Sequence, residues 1–448
     1  MNAPANLPPL REERPVPAPR VVEATLPNGL AIQVVPWEGV PLATARLVFR
    51  GGFSDDAPSE PGLARLLSAA LREGTTALSG ADLADLAQGA GGDLLAGAGP
   101  DSLTVAASGL ATRVPTLLDL VADVARRPAF PRDGVERVKD LALEELETSE
   151  SEPFFLGVRA FARELYGSHP YAVVSPTAAS IDGTTPERLA AEAARRLRPD
   201  RALLLVAGDV DPEAVVAEAG RLLGDWSAAG APPSPVPVPS DPPGPRRIVV
   251  LDRPGSVQTN LLVGGPGIPR TDPDAYALEL ALTIYGGSFT SRLVQNLRET
   301  KGYTYSPGAG ASWMAGRGSV RTFAAVRNEV TGASLNEVLY EMERMATTEA
   351  ADEEMERAFR KEAGSLAIAL QTASGVAEEI ARFWVLGLPP EEVGRIVPGL
   401  ARVTKADVRR VSRRAFGTGA ARIVAVGDAA AIRGELATFG EVVEADAG

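Results

Sequence analysis

The sequence predicts an α+β protein made of two homologous, duplicated α/β domains, each a mostly antiparallel sheet packed with helices. Two buried-strand patterns, each ending in Gly-Asp and leading into a helix, finish at Asp209 and Asp428, which are 219 residues apart. Strand-to-helix transitions around Gly51 and Gly264 repeat at a spacing of 213 residues. Two pairs of matching features at nearly one spacing indicate an internal duplication.

Short strands and helices alternate along both halves, which is typical of mixed rather than all-α architecture. In the first half, strands are predicted at 30–35, 43–49, 102–107 and 202–209, and helices at 61–72, 112–126, 133–149 and 214–223. In the second half, strands are predicted at 260–265, 303–306 and 421–428. One helix is predicted to start at 275, a second to run through 294 and 297 to 301, and a third to span 430–439.

A proline-rich segment separates the two halves. Prolines recur from Pro232 to Pro245, and such a segment favours extended geometry and cannot join a helix or an inner strand. The predicted organisation is a flexible N-terminal extension at 1–20, a first domain at 21–228, a linker at 229–246 and a second domain at 247–442.

The composition excludes several kinds of catalytic site. The chain has 448 residues, with no Cys and a single His. Without Cys there is no thiol nucleophile, disulfide, iron–sulfur cluster or Cys-based zinc site. With one His, no metal site with two imidazoles can form within the chain, whereas a Ser-His-Asp triad is not excluded by counting alone.

The charge balance argues against nucleic acid as a partner, and the apolar patterning argues against a membrane. There are 58 Asp and Glu against 45 Lys and Arg, a net charge of −13, and an acidic surface repels phosphate backbones. No uninterrupted apolar run approaches the roughly 18 residues of a membrane span. The N-terminal residues show no apolar core of a signal peptide, so we expect a cytoplasmic protein, or a periplasmic one if a signal precedes the given sequence.

The predicted helix at 61–72 is the first candidate site. Pro61 suits a first helical turn, leucines form an apolar stripe, and Gly74 ends the helix. Arg65, Ser68 and Ala69 follow one another at spacings of three and four residues, so we expect them to share one face.

Here the sequence resembles the pitrilysin/insulinase family of zinc peptidases, in its mitochondrial-processing-peptidase branch. The family carries an inverted zinc motif, H-x-x-E-H, between the same Pro-Gly-x-Ala and Gly-Thr flanks, with two His as ligands and the Glu activating water. The resemblance implies that Arg65 and Ala69 replace the two His and that Ser68 replaces the general base. It also implies a metallopeptidase clamshell of two domains, and a chain that binds no zinc itself.

The family's third zinc ligand is a Glu that corresponds by position to Glu145. Two interpretations stay open for this residue, which shares a stripe with Val138 and Leu141. It belongs to a solvated acidic face, which the surrounding glutamates favour, or it is a relic ligand that faces Arg65. A single carboxylate cannot hold catalytic zinc in either case.

The only histidine, His169, lies in Ser168-His169-Pro170-Tyr171, where the family has a similar sequence. Pro153 and the Arg198-Pro199-Asp200 segment also match. We therefore interpret His169 as a structural loop residue. A role as triad base is disfavoured because no Gly-x-Ser-x-Gly elbow accompanies it.

A second candidate site follows the linker. The turn at 285–291 is Gly-rich but lacks the phosphate-loop pattern. Downstream, Leu297-Arg298-Glu299 and Gly302-Tyr303-Thr304-Tyr305-Ser306 are similar to the family's C-terminal signature. The resemblance implies that Arg298 and Tyr305, with Tyr303 less clearly placed, hold substrate and stabilise an oxyanion. The alternative is that Arg298 complements a helix dipole and Tyr305 packs in a sheet.

Together these features predict a catalytically incomplete subunit of a heteromeric zinc-dependent peptidase acting on peptides or unfolded polypeptides. A paralogous partner with H-x-x-E-H would supply zinc and the general base, in a heterodimer or a dimer of heterodimers, and this chain would be inactive alone. The alternative is a non-enzymatic scaffold or peptide-binding member, similar to the core proteins of respiratory complexes. A hydrolase that uses His169 ranks last.

Overall fold

The computed structural model describes residues 18–228 and 230–445, so the predicted extension at 1–20 lies outside the described residues except for its last three. The first sheet contains β1 (Val22–Thr25), β2 (Ala31–Pro36), β3 (Leu42–Arg50), β4 (Leu94–Ala98), β5 (Ser102–Leu110) and β6 (Ala202–Gly208). The second sheet contains β7 (Arg247–Asp252), β8 (Gln258–Pro266), β9 (Gly308–Ser312), β10 (Ser319–Arg327), β11 (Arg422–Gly427) and β12 (Val442–Ala445).

The two sheets repeat one strand order, which confirms the predicted duplication and the α+β class. The orders are β1-β2-β6-β3-β5-β4 and β12-β7-β11-β8-β10-β9. In each sheet a parallel pair, β2 with β6 or β7 with β11, adjoins three antiparallel strands. The repeats differ at one edge, where β1 is antiparallel and β12 parallel to its neighbour. Central strands β6 and β11 are buried throughout, and both are apolar apart from Arg422 at the start of β11.

Helices cover both sheets. Those of the first half are α1 (Leu63–Ala70), α2 (Gly80–Gly89), α3 (Val114–Arg126), α4 (Arg132–Ser151), α5 (Pro153–Tyr166), α6 (Ala178–Asp182), α7 (Pro186–Arg196) and α8 (Pro212–Leu223). Those of the second half are α9 (Ala275–Tyr285), α10 (Arg292–Val294), α11 (Thr331–Thr347), α12 (Asp352–Ala369), α13 (Ala373–Val385), α14 (Glu392–Ala401), α15 (Lys405–Ala415) and α16 (Ala429–Leu436). None of these described helices combines the length and apolarity that a bilayer crossing requires.

The halves exchange helices across their interface. Helix α5 of the first half packs on β8 and β11 of the second sheet, and α13 of the second half packs on β3 and β6 of the first. Leu156 and Phe161 of α5 share a buried cluster with Leu262. A Cβ at Gly157 would lie 2.4 Å from the Leu262 Cδ1, so a glycine lets α5 lie close to the sheet.

The predicted strand at 303–306 is wrong. Helix α10 continues as a π-helical turn over Gln295–Thr300, and Gly302 then takes a positive φ of 65°. The Tyr303 N–H donates to the Leu297 carbonyl at 2.8 Å, which folds the chain back on the helix end. Residues 303–307 are therefore irregular, and the strand begins only at Gly308. Residues 230–246 form no helix or strand, and the domain boundaries stay predictions.

A buried ion network fixes the start of α1. The Arg196 guanidinium, itself fully buried, pairs with Asp56 at 2.6 Å and with Glu192. The Asp56 Oδ1 also accepts a hydrogen bond from the Ala64 N–H at 3.2 Å, in the first turn of α1. Burial raises the pKa of Asp56 to about 6. Burial also acts to raise the pKa of Glu192, but hydrogen bonds and charges of Arg195 and Arg196 prevail and lower it to about 2.

Replacing Glu192 with Gln should flatten the acid dependence of stability. Because the folded-state pKa of Glu192 is depressed to about 2, its contribution is present above the unfolded value near 4.5 and is lost as pH falls through that window. The contribution amounts to about 3 kcal/mol at neutral pH. Asp56, with its raised pKa, acts oppositely between pH 6 and about 4, but both chains contain it, so the difference between them reports on Glu192.

Urea denaturation of the unaltered chain and Glu192→Gln at pH 7 and pH 3 measures this difference. The two free energies of unfolding should differ at pH 7, and the difference should be about half as large at pH 3, where a carboxylate with a folded-state pKa of about 2 is still mostly ionised. Glu213→Gln, at an exposed position of α8, is the matched control and should follow the unaltered chain. Curves for Glu192→Gln and the unaltered chain that stay parallel across the range would contradict the assignment.

Candidate functional site

Helix α1 presents the positions of the replaced zinc motif, but only two of them face open space. The helix begins after Gly62, whose φ is +81° and whose added Cβ would lie 2.6 Å from Pro176, so only glycine fits there. Arg65 is exposed and Ala69 partly exposed. Ser68 is buried, and its hydroxyl donates to the Arg65 carbonyl at 2.8 Å. The expectation that all three side chains share one face is therefore wrong for Ser68.

Arg65 and Ala69 line a cavity of about 270 Å³ between α1 and α4, and Glu145 lines it too. Glu145 is exposed and makes no ion pair with Arg65 within 4 Å among the described residues. Burial lowers the pKa of the Arg65 guanidinium, and the carboxylates of Glu145 and Asp56 act against that shift. The Arg65 guanidinium lies 4.9 Å from the centre of the Phe53 ring.

These residues do not fit a zinc ion. A permanently charged guanidinium stands where an imidazole ligand is needed, Ala69 has no donor atom, and the buried Ser68 hydroxyl is bonded to the Arg65 carbonyl. Across residues 18–228 and 230–445, no group of three or more His, Asp or Glu side chains is arranged to hold a metal ion. Glu145 alone cannot replace the missing ligands.

The second candidate site is a stack of three side chains at the end of the π-helical turn. The Arg298 guanidinium lies 4.6 Å from the centre of the Phe289 ring and 4.3 Å from that of Tyr305. Both rings face solvent, Phe289 with 61% and Tyr305 with 76% of their surface exposed. The alternative in which Tyr305 packs in a sheet is therefore wrong. The Glu299 Oε1 forms an ion pair with the Arg298 Nε at 3.2 Å.

Tyr303 and Tyr305 line a separate cavity of about 340 Å³, together with residues of β8 and β10. Neither tyrosine, nor Arg298, lines the cavity that contains Ala69 and Glu145. Within this chain the structure thus joins Arg298 to Tyr305 but does not join that pair to the replaced zinc motif.

Phe289 has no assigned role in the sequence analysis, although it completes the stack. The available signal is an exposed aromatic residue directly after the Gly286-Gly287 turn and nine residues before Arg298. Phe289 lies in the turn before α10 and outside the helix, so helical spacing does not relate it to Arg298. Sequence periodicity alone therefore gives no reason to pair these two side chains.

His169 occupies a structural position. Its Nδ1 accepts a hydrogen bond from the Tyr171 N–H at 3.1 Å, so the Nε2 carries the proton that it donates to the Pro237 carbonyl at 2.7 Å. The ring also packs against Tyr166 and Tyr171. Both nitrogens are engaged with backbone groups, which joins the loop after α5 to the linker and leaves no nitrogen for a nucleophile.

Comparison with known families identifies both halves. Residues 38–168 match the family model for insulinase (peptidase family M16), and residues 184–361 match the model described as the peptidase M16 inactive domain. An "uncharacterized zinc protease" of Streptomyces coelicolor is 26% identical over 405 residues, covering 89% of this chain and 87% of that protein. One of Mycobacterium tuberculosis is 29% identical over 310 residues, covering 69% and 70%.

Solved structures agree with the fold. A crystal structure described as the peptidase M16 inactive domain from Pseudomonas fluorescens superposes with a TM-score of 0.85, at 26% identity, over 91% of this chain and 98% of that one. A protease from Helicobacter pylori gives the same TM-score at 18% identity, over 92% and 100%. The second likeness concerns the fold alone.

Restoring imidazoles on the open face of α1 should create a zinc site. The double variant Arg65→His with Ala69→His places two imidazoles one helical turn apart in the cavity that Glu145 lines. Two His and one carboxylate form a ligand set that binds zinc. Isothermal titration calorimetry with zinc chloride should show saturable binding to the double variant and none to the unaltered chain.

Glu145→Gln in the double-His background tests the third ligand. We expect zinc affinity to fall by at least about tenfold, the loss that even outer-shell partners of metal ligands produce. Glu144→Gln is the matched control, since Glu144 is exposed on the same helix and does not line the cavity. Equal zinc affinity with and without the Glu145 carboxylate would show that it does not face α1.

Proposed function

The chain belongs to the peptidase M16 (insulinase) family, and we propose that it is a catalytically incomplete subunit of a heteromeric zinc-dependent peptidase. A paralogous partner carrying H-x-x-E-H would hold the zinc and the general base, while this chain supplies Arg298 and Tyr305. One observation carries the proposal. The zinc motif is replaced, whereas the Arg298 guanidinium lies over two exposed aromatic rings, at 4.6 Å from that of Phe289 and 4.3 Å from that of Tyr305.

The stack suits the binding of a peptide carbonyl. Phe289 and Tyr305 cover parts of the guanidinium faces, so the in-plane N–H donors point outward at the edges. Glu299 engages the Nε edge and leaves the terminal nitrogens for a ligand. The Tyr305 phenol adds a neutral donor next to a fixed positive charge. Donors of both kinds stabilise the negative charge that develops on the oxygen of a scissile carbonyl.

The adjoining edge strand supports a peptide as the substrate class. Strand β9 follows Tyr305 after two residues and forms the outer edge of the second sheet. The Ala309 N–H on this edge donates to the Gly286 carbonyl at 3.1 Å. Gly310 and Ala311 beyond it are small, so an extended backbone can approach the rest of the edge closely. An unfolded segment could pair with this edge while its carbonyl reaches Arg298.

The variant Arg298→Ala with Tyr305→Phe should reduce turnover by the assembled pair without preventing assembly. We expect kcat/KM to fall by about a hundredfold or more, the usual effect of removing an oxyanion donor. Peptide hydrolysis by the reconstituted complex, with assembly followed by size-exclusion chromatography, is the measurement. Unchanged turnover with intact assembly would favour the alternative, a non-enzymatic scaffold or peptide-binding subunit.

A matched control exists in the same half. Arg344 lies over the ring of Tyr340 at 5.6 Å, and both side chains reach the surface. Because Arg344 also pairs with the buried Glu341 carboxylate, which Asn296 of the π-helical turn contacts, the control replaces the exposed Arg357 of α12 instead: Arg357→Ala with Tyr340→Phe removes an arginine and a phenol from places without a proposed role. Its kcat/KM should equal that of the unaltered complex.

The chain by itself should hydrolyse no peptide in a zinc-dependent way, because its own residues at α1 do not fit the metal. Metal analysis of the separated chains and of the complex should find zinc with the partner and the complex only. Hydrolysis by the purified chain alone that is abolished by a chelator and restored by zinc would overturn the proposal.

A further inference from the structure

We propose that a cavity between the two halves, walled by Arg65 and Arg321, binds a carboxylate carried next to an aromatic or large apolar side chain. The cavity has a volume of about 320 Å³, which is at the small end of ligand sites. Binding there needs neither a partner chain nor turnover, so the proposal is independent of the function proposed above.

Both halves of the protein build this cavity. The first half contributes Arg65 and Phe53 and one face of α5, and the second contributes β9 and the inward side of β10. Arg321 and Phe323 alternate with Val320 and Thr322 on β10, so their side chains point to the same side of the sheet. Arg321 lies opposite Gly310 in the strand register, so no neighbouring side chain crowds it on β9.

The two guanidinium groups are poorly compensated. Neither makes an ion pair or a side-chain hydrogen bond within the part of the chain that the structure describes. Burial lowers the pKa of both Arg65 and Arg321 below the ordinary value, which reflects lost contact with water. Their nearest aromatic rings are Phe53 at 4.9 Å and Phe154 at 5.8 Å. Arg65 is exposed on the open side and Arg321 is half-buried, and guanidinium groups that line a cavity without a carboxylate partner are typical of binding sites.

The cavity wall contains no carboxylate, although the protein as a whole is acidic, with a net charge of −13. Its ionisable phenols stay neutral, since burial raises the pKa of Tyr166 to about 12 and raises that of Tyr171 further. The nearest carboxylates lie outside the set of residues that line the cavity. Asp101 accepts from the Tyr171 hydroxyl at 2.7 Å, and Glu145 faces the adjoining cavity on the other side of Arg65.

The lining chemistry specifies the ligand. Arginine forks bind carboxylates through paired charge-assisted hydrogen bonds. The remaining wall is apolar and aromatic, with Phe53, Phe161 and Phe323 among its residues, and suits a large apolar group beside the carboxylate. A peptide that ends in an aromatic residue has both features, and an internal acidic residue next to an aromatic one has them as well.

The test is isothermal titration calorimetry of the full chain, without a partner, against three tripeptides. Alanyl-alanyl-phenylalanine carries the C-terminal carboxylate, its C-terminal amide lacks it, and alanyl-glutamyl-phenylalanine amide carries only a side-chain carboxylate. We expect saturable binding of the free acid and at least about tenfold weaker binding of its amide, the usual loss for a hydrogen-bonded charge. If the glutamyl amide binds as tightly as the free acid, the carboxylate comes from a side chain.

Variants assign the site. Arg65→Gln and Arg321→Gln should each weaken binding of the free acid by at least about tenfold, and Glu145→Gln should strengthen it by up to about fivefold by removing a competing charge. Arg357→Gln, an exposed arginine of α12, is the control and should change nothing. The proposal is overturned if the acid and its amide bind equally, if neither binds, or if both cavity variants bind as the unaltered chain does. The peptide comparison stays decisive even for a variant that does not fold.

Discussion

The exchange of helices between the halves is the constraint on which the rest of the structure depends. Helix α5 of the first half packs on the second sheet, and helix α13 of the second half packs on the first sheet. Neither sheet can bury its apolar face with helices from its own half alone, so the halves are held in one orientation. The guanidinium of Arg50 strengthens this interface by stacking on Trp384 at 4.3 Å and donating to its carbonyl. The space between α1, α5 and β10 is thereby a fixed feature of the fold.

Within that frame, helix α1 does not depend on a metal for its position. The Asp56 carboxylate caps the first turn, and Arg196 ties Asp56 to α7. This explains how the three motif positions could change without loss of the fold. A buried ion network on one side and an apolar face on the other hold helix α1 in place. Arg65 is tolerated at the open surface because no core residue depends on contacts with its side chain. Replacement of the three zinc-motif residues is thus compatible with an unchanged fold around the space between α1, α5 and β10.

The sequence predicted the parts of the fold that arise from local patterns. The spacing of the Gly-Asp strands anticipated two equivalent sheets, and Arg298 and Tyr305 are indeed brought together. Helix exchange could not be predicted, since the apolar stripe of α5 is the same whichever sheet it packs on. The irregular segment at 303–307 follows a π-helical turn that has no sequence signature of its own. Phe289 lies in a turn outside the helix, so periodicity could not pair it with Arg298.

The arginines that line the cavity between the halves differ in their partners from three buried arginines elsewhere in the described residues. Arg196 is paired with two carboxylates, Arg292 forms two hydrogen bonds of 2.7 Å with Glu354, and Arg422 donates to backbone carbonyls. These buried guanidinium groups are compensated internally, as stability requires. Arg65, which is exposed, and Arg321, which is half-buried, have no such partner, and they line one cavity from opposite halves. In an acidic protein, where carboxylates are abundant, two unpaired arginines facing a common space are better explained by a ligand than by packing, because packing alone would be served by an apolar side chain at either position.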